Sequence, residues 1–246
     1  KFFCYLNNSK ASMSKRHSIL IVADHASNFI PQKYNNLGLS QRLMKSHIAY
    51  DPGIKELSLA LSKKLKASLV IGEHSRLLID PNRGIMDPTL IPSISDGTQI
   101  DQNFNLSNSD KRFRVKEIYK KYHNSISQII KKKKINMIIS LHSFNPYYKN
   151  KKIDIEFGIL SNSDRRYSNI IIEFLSKKGY TVGDNQPYAG NLIEDTMYRH
   201  GLKTKILHTL IETRNDLLIK PKDISSVTNI LYKAITSSKK KTKKYL

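Results

Sequence analysis

The chain has 246 residues, with 42 Lys and Arg against 20 Asp and Glu and a formal charge of +22; that length suffices for one large core without staples. Its single cysteine, Cys4, excludes a disulfide framework and a cysteine-rich zinc site. No apolar run approaches the roughly 18 residues of a membrane span and no segment has the pattern of a secretory leader, so the expectation is a soluble, cytoplasmic protein with no membrane partner.

The residues before Met13 have no periodicity, and 1–16 are expected to form an arm outside the domain. Ser18 to Ala23 reads as the first strand, a run of aliphatic residues that ends in Asp24-His25. Residues 29–46 read as a loop punctuated by Pro31 and Gly38. Asp51-Pro52 then opens a helix, with Asp as N-cap and Pro in the first turn. Ile54, Leu57, Leu61 and Leu65 form its apolar stripe. Leu69 to Gly72 and Leu77 to Ile79 are expected as short strands, the second ending in Asp80-Pro81-Asn82-Arg83. Residues 84–108, rich in Gly, Pro, Asn, Asp and Ser, read as an irregular excursion of a length that is uncommon unless functional.

A helix is expected from Asp110 to Lys131, with Val115, Ile118, Tyr122, Ile126 and Ile129 on one face. The run "INMIISLH" reads as a buried strand ending in His142, and Ile153 to Leu160 as another. Arg166 to Lys178 is helical and stops at Gly179. Thr204 to Ile211 is the last core strand, followed by Glu212, and 222–236 form a closing helix. The domain thus spans 17–237, and the low-complexity basic segment 238–246 is expected to be a disordered tail. Strands alternate with helices, which predicts an α/β fold with a mainly parallel sheet covered on both faces.

The basic residues are 32 Lys and 10 Arg. Lysine, with the abundant Ile and Asn, has AT-rich codons, so genome composition is an alternative source of the bias to a binding function. Arginine is the better residue for bidentate phosphate or base contacts. The basic clusters, Lys131–Lys134 and Lys239–Lys244, read as solvated surface. Nucleic acid is expected to bind at most weakly and without sequence preference, and a non-enzymatic polyanion binder is the competing functional class.

Ligands of parallel α/β sheets sit outside the carboxyl ends of the strands. Four apolar segments here end in polar groups: Asp24-His25, Asp80 to Arg83, His142-Ser143 and Glu212-Thr213-Arg214. Two histidines plus a carboxylate make the ligand set of a catalytic zinc, with one position left for water. A further carboxylate takes a proton, and an arginine grips a substrate carboxylate. His47, His74 and His208 also flank apolar runs, so a histidine at a strand end is not by itself a ligand. The chain lacks G-x-S-x-G, a P-loop and G-x-G-x-x-G, which leaves little support for a serine hydrolase or nucleotide enzyme.

The segments "DHASNFIP", "HIAYDPGI", "SRLLIDPNR", "SLHSF", "DNQPYAG" and "LIETRNDL", in this order over residues 20–218, resemble the N-formylglutamate amidohydrolase family. The resemblance implies a single-domain three-layer sandwich of the phosphorylase/hydrolase type, related to zinc carboxypeptidases and aspartoacylase-like deacylases. It implies a zinc ion held by His25 and His142, with Glu212 as general base and Arg214 orienting it or binding substrate. Asn82 and Arg83 would grip a substrate carboxylate, and Arg76 or Arg214 would assist at the oxyanion. Tyr188 and Gly190 would lie on a loop over the pocket beside Ser143. The wider superfamily places a glutamate three residues after the first histidine, where this chain has Asn28. Asp51 is therefore expected as the third ligand, with Glu73 and Asp24 as the other candidates. The implied reaction is hydrolysis of a small anionic N-acyl amino acid, N-formylglutamate first, with other N-acyl amino acids or short peptides as alternatives.

Overall fold

The computed structural model describes residues 4–5, 18–148, 150–242 and 245. Strands β1 (Cys4–Tyr5), β2 (Ile19–Ala23), β3 (Ser68–Ile71), β4 (Met137–Phe144), β5 (Phe157–Leu160), β6 (Val182–Asp184) and β7 (Leu207–Arg214) form one sheet. The order is β1-β3-β2-β4-β7-β5-β6. β3, β2, β4 and β7 are parallel to one another. β5 runs antiparallel to β7 and carries β6 parallel at its far side, and β1 is antiparallel to β3.

Alternation along the central strands builds a core on each face. Ile19, Ile21 and Ala23 of β2 pack with Met137, Ile139 and Leu141 of β4 against three helices. These are α1 (Ile54–Leu65), α3 (Ser168–Lys177) and α4 (Pro221–Thr242). Leu20 and Val22 face the other way, with Ile138 and Leu210, against Tyr122, Ile126 and Ile129 of α2 (Lys120–Lys133). Each fully buried Leu or Ile contributes roughly 2 kcal/mol. The result is the expected three-layer α/β sandwich with a mixed, mainly parallel sheet. No helix among the described residues is long and apolar enough to cross a membrane.

Several local expectations change. Leu77, Leu78 and Ile79 are fully buried but turn rather than pair in the sheet. Their polar backbone is met elsewhere: Asn103 donates to the Leu77 carbonyl (2.8 Å) and Arg114 to that of Leu78 (2.9 Å). α1 is preceded by Gly53 at φ 79, not capped by Asp51, whose side chain is spent on the site described below. Residues 29–46 contain a 3-10 segment (Gln32–Gly38) and a short helix (Gln41–Met44), and 84–108 a small hairpin pairing Ile94–Ser95 with Thr98–Gln99.

The helix leading into α2 starts at Asn108 and opens into a π turn at Val115–Tyr119. A second π turn covers Tyr198–Leu202, and neither this turn nor β6 was expected. α4 continues through Thr242, with Ser238 and Thr242 buried, so helix occupies the first part of the expected disordered tail. Of the expected arm over 1–16, Cys4–Tyr5 instead join the sheet as its edge strand β1, since their backbone pairs with Leu69 and Val70, and the remainder lies outside the described residues.

Candidate active site

The carboxyl ends of β2, β4 and β7 meet at one cavity of about 390 Å³. His25 follows β2 by two residues. His142 and Glu212 lie within their strands, not beyond them, and are Cα partners across the β4/β7 ladder. Alternation puts both side chains on the same face of the sheet. Asp51 reaches the site just before α1, its backbone N–H donating to the His25 carbonyl at 2.8 Å. His25, Asp51, His142 and Glu212 are all buried.

Two buried carboxylates fix the two imidazoles. His25 Nε2 donates to Asp80 Oδ1 at 2.6 Å, and the same oxygen accepts the Asn82 N–H at 2.8 Å. His142 Nε2 donates to Asp24 Oδ2 at 3.0 Å. Each ring therefore turns Nδ1 toward Asp51 Oδ2, at 3.6 Å from His25 and 3.0 Å from His142. The rings stand edge to face with centroids 4.8 Å apart. Carboxylate-bonded histidines are the usual means of orienting metal ligands. Among the described residues, ligand atoms of His25, Asp51 and His142 lie within 4.8 Å of one another.

The donor set fits a divalent cation. Burial, with the Arg76 charge nearby, lowers the His25 pKa to about 4, so the ring is the neutral base a metal needs. Its Nδ1 is buried and has no hydrogen-bond partner. Burial opposes charging of His142 as well, but its bond to Asp24 and the nearby Glu212 outweigh that and raise its pKa. Burial would raise the pKa values of Asp24 and Asp80; His142 and His25 respectively outweigh it and hold both well below the usual carboxylate range. Asp51 Oδ1 pairs with the Arg76 guanidinium, and its Oδ2 accepts the Ser143 N–H at 3.2 Å. Several carboxylates thus gather around His25 and His142, and this surplus of negative charge favours a positive ion.

Glu212 stands apart from this set. Its Oε2 is buried without a partner, and burial raises its pKa, moderated by His142, Arg76 and His25. Arg76 Nε is also buried and unpartnered. Asn82 and Arg83 line the same cavity, with Asn82 Oδ1 accepting the Thr196 N–H at 3.1 Å and Arg83 bonded to Thr89 and the Asn82 carbonyl. Tyr188 and Gly190 lie on its rim segment.

Three expected roles change. Arg214 does not line the cavity; its guanidinium is spent on Asp216 and on the carbonyls of Ile153, Asp154 and Ile155. Ser143 lines the cavity, but its N–H goes to Asp51 and its hydroxyl to the Pro52 carbonyl, so it positions the carboxylate. Asp24 is saturated by Tyr122, Thr196, Ser140 and His142, which makes it a support for His142. Asn28 is occupied with the Met44 carbonyl.

Sequence reading missed the layer behind the site. The π turn at Val115–Tyr119 lets two nearby tyrosines reach it, Tyr119 to the Arg83 carbonyl (2.7 Å) and Tyr122 to Asp24 (2.9 Å). His123 bridges His200 (2.9 Å) and the Pro81 carbonyl (3.0 Å). Nothing in the local pattern distinguishes these residues from ordinary members of an apolar stripe.

The N-formylglutamate amidohydrolase family model matches residues 17–219. Among solved structures, the gene product Atu2144 from Agrobacterium tumefaciens is 31% identical, with 96% of this chain and 95% of that one covered and a TM-score of 0.88. The N-formylglutamate amidohydrolase from Ralstonia eutropha JMP134 shares the fold at 16% identity, with 94% and 97% covered and a TM-score of 0.69. No curated protein matches the chain.

Proposed function

Because this chain belongs to the N-formylglutamate amidohydrolase family, we propose that it hydrolyses the amide bond of an N-acyl amino acid with the help of one divalent cation, zinc first. His25, His142 and Asp51 would hold the ion. N-formylglutamate is the reference substrate of the class. The observation that carries the reading is the pair of buried, unpartnered atoms on one cavity, His25 Nδ1 and Glu212 Oε2. An orphaned buried acceptor costs about 1–3 kcal/mol, and two in one pocket mark a site kept for something other than stability.

When bound, the ion supplies Lewis-acid polarisation of the scissile carbonyl and acidifies water. The remaining work falls to the chain's own groups. Asn82 and Arg83 hold the substrate carboxylate and so fix the amide in the cavity. Glu212, kept basic enough by burial, takes the proton from the attacking water at Oε2. It returns that proton to the leaving amine nitrogen, so that it ends the cycle as it began. Arg76 Nε–H is the donor placed to stabilise negative charge on the carbonyl oxygen. Asp24 and Asp80 keep the two imidazoles in one tautomer throughout. No covalent intermediate is required.

The test is metal analysis of the purified protein together with Glu212→Gln. The variant should retain zinc and lose turnover of N-formylglutamate or a related N-acyl amino acid by about 10²–10⁴-fold. Full activity in that variant removes Glu212 from the base role. A protein that binds no divalent ion removes the metal.

A further inference from the structure

The cavity has two unlike walls. One carries the ligands, Glu212 and the guanidinium groups. The other is mainly apolar: Phe144, Leu160, Tyr188, Leu192, Met197 and Leu210 line it, with the polar residues Ser161, Asn162 and Asp195 among them. The sheet register explains the division. On β7 the side chains of Glu212, Leu210 and His208 follow one another on a single face. Glu212 is opposite Gly158 on β5, and Leu210 is opposite Leu160. Moving along the strand from Glu212, the floor changes from a carboxylate beside a glycine to a pair of leucines. It then reaches His208, about 13 Å from Glu212 at strand spacing. His208 lines the cavity and donates Nδ1–H to the Ile206 carbonyl at 2.8 Å, while burial lowers its pKa, so it adds no positive charge there.

This apolar wall is built in advance. Asn185 clamps Ser161 through both backbone groups, at 2.9 Å to the N–H and 3.1 Å to the carbonyl. Gly190 lies so close to the same groups that a Cβ there would collide with them. The loop bearing Tyr188 and Leu192 is thereby pinned against the end of β5. The Tyr188 ring stands edge-on to Phe144, with centroids 6.4 Å apart. Among the described residues lining the cavity, the guanidinium groups are those of Arg76 and Arg83, and Arg76 is paired with Asp51. Among the described residues, no Lys or Arg lines the apolar wall.

We propose that the wall formed by Leu160, Met197 and Leu210 is a specificity arm that takes an apolar group of the substrate, so that preferred substrates are N-acyl amino acids with an aliphatic or aromatic extension beyond the scissile amide. The inference rests on the amide-hydrolysis reading and deepens it. The extension is either the acyl chain or the amino-acid side chain; the shared chemistry is an uncharged hydrocarbon of a few carbons.

The experiment assays zinc-loaded protein on four compounds: N-formylglutamate, N-formylleucine, N-hexanoylglutamate and N-hexanoylleucine. An acyl arm raises kcat/KM in both hexanoyl compounds, and a side-chain arm raises it in both leucine compounds. Either gain should be about 10-fold or more over N-formylglutamate. Leu210→Ala and Leu192→Ser should shrink the gain and leave N-formylglutamate turnover within a few-fold; Leu192 is 40% exposed, so its variant keeps the fold. N-formylglutamate as the best of the four overturns the arm, as does a loss in both variants that is uniform across all substrates. Calorimetric binding of the same compounds to Glu212→Gln separates the two ideas. A tenfold binding preference for an apolar compound without turnover in the wild type would overturn the hydrolase reading and keep the arm, and equal binding would overturn the arm.

Discussion

Asp24 and His142 form a buried pair in which the carboxylate spends every contact on a donor. Asp24 Oδ2 accepts from His142 Nε2 and Ser140, and Oδ1 accepts from Tyr122 and Thr196. Asp80 does the same service for His25 with less company, since its Oδ1 takes His25 Nε2 and the Asn82 N–H. The two histidines are thus supported in the same way but not to the same depth.

That difference predicts unequal variants. Asp80→Asn keeps an amide oxygen for both of its donors, so the fold should survive. The loss of charge behind His25 should weaken zinc binding by about 10-fold. Asp24→Asn introduces an NH₂ group among donors and leaves at least one of them unmatched. It should weaken zinc by about 100-fold and also destabilise the protein by roughly 2 kcal/mol. Chelator competition and urea unfolding on both variants check the contrast; equal effects would mean the two supports are equivalent.

The site was legible where a side chain's role follows from its place on a strand. His25, His142 and Glu212 each come at or near the end of a continuous apolar run, and the ladder then brings the last two side by side. Asp51 was legible as a residue at the start of a helix, though its task is at the imidazoles and not at a cap. The segment Leu77–Ile79 shows where pattern fails. Three buried aliphatic residues look the same whether their carbonyls meet a neighbouring strand or the side chains of Asn103 and Arg114. Those partners are distant in sequence, and no local periodicity encodes them. Arg214 was misplaced for a related reason: its strand position predicts proximity to Glu212, but the carbonyls of 153–155 capture its guanidinium.

Arg114 is the cation on which that buried segment depends. Its side chain is 1% exposed, ion-paired to Asp110 and bonded to the Leu78 carbonyl and Asn103 Oδ1. Arg114→Met should destabilise the protein by about 3 kcal/mol, because an acceptor set is left buried without its donor. Asp80, Asn82 and Arg83 follow directly in sequence, so substrate KM should rise as well. Chemical denaturation with parallel kinetics tests this, and an unchanged midpoint would show that the segment holds itself.

Acid should unfold the protein through histidines that fold neutral. Burial, with each ring's neighbours, lowers the pKa of His123 to about 3 and of His200 to about 4. In the unfolded chain both take a proton near the ordinary value of about 6.5. The stability they permit is complete above that value and falls as pH drops toward 4, by about 2 kcal/mol per ring at about pH 5. Asp195 opposes the trend, since burial raises its pKa to about 6. Its contribution is present at low pH and is lost as pH rises through 6. The two histidines outweigh the one aspartate, so the contribution of these three groups should fall between pH 6.5 and 5. His200→Phe should flatten that slope in pH-dependent denaturation; an unchanged slope would assign the acid sensitivity to other groups.

Gly190 offers a test of whether the rim segment must be held in place for activity. A Cβ at this position would run into Asn185 Oδ1 and the backbone of Ser161, groups that are already bonded to each other. The collision involves backbone on one side, so the loop and not a side-chain tip has to move. Few core contacts depend on residues 188–193, where Tyr188, Leu192 and Ile193 are exposed. Gly190→Ala should therefore leave global stability within about 1 kcal/mol, as substitutions away from the core do. It should raise KM several-fold for a substrate with an apolar extension, because Tyr188 and Leu192 leave the cavity wall together, while metal content stays unchanged. Asn185→Ala removes the clamp without adding an atom and should act in the same direction. If Gly190→Ala alters zinc content instead of KM, the segment belongs to the support of the ligands and not to the substrate wall.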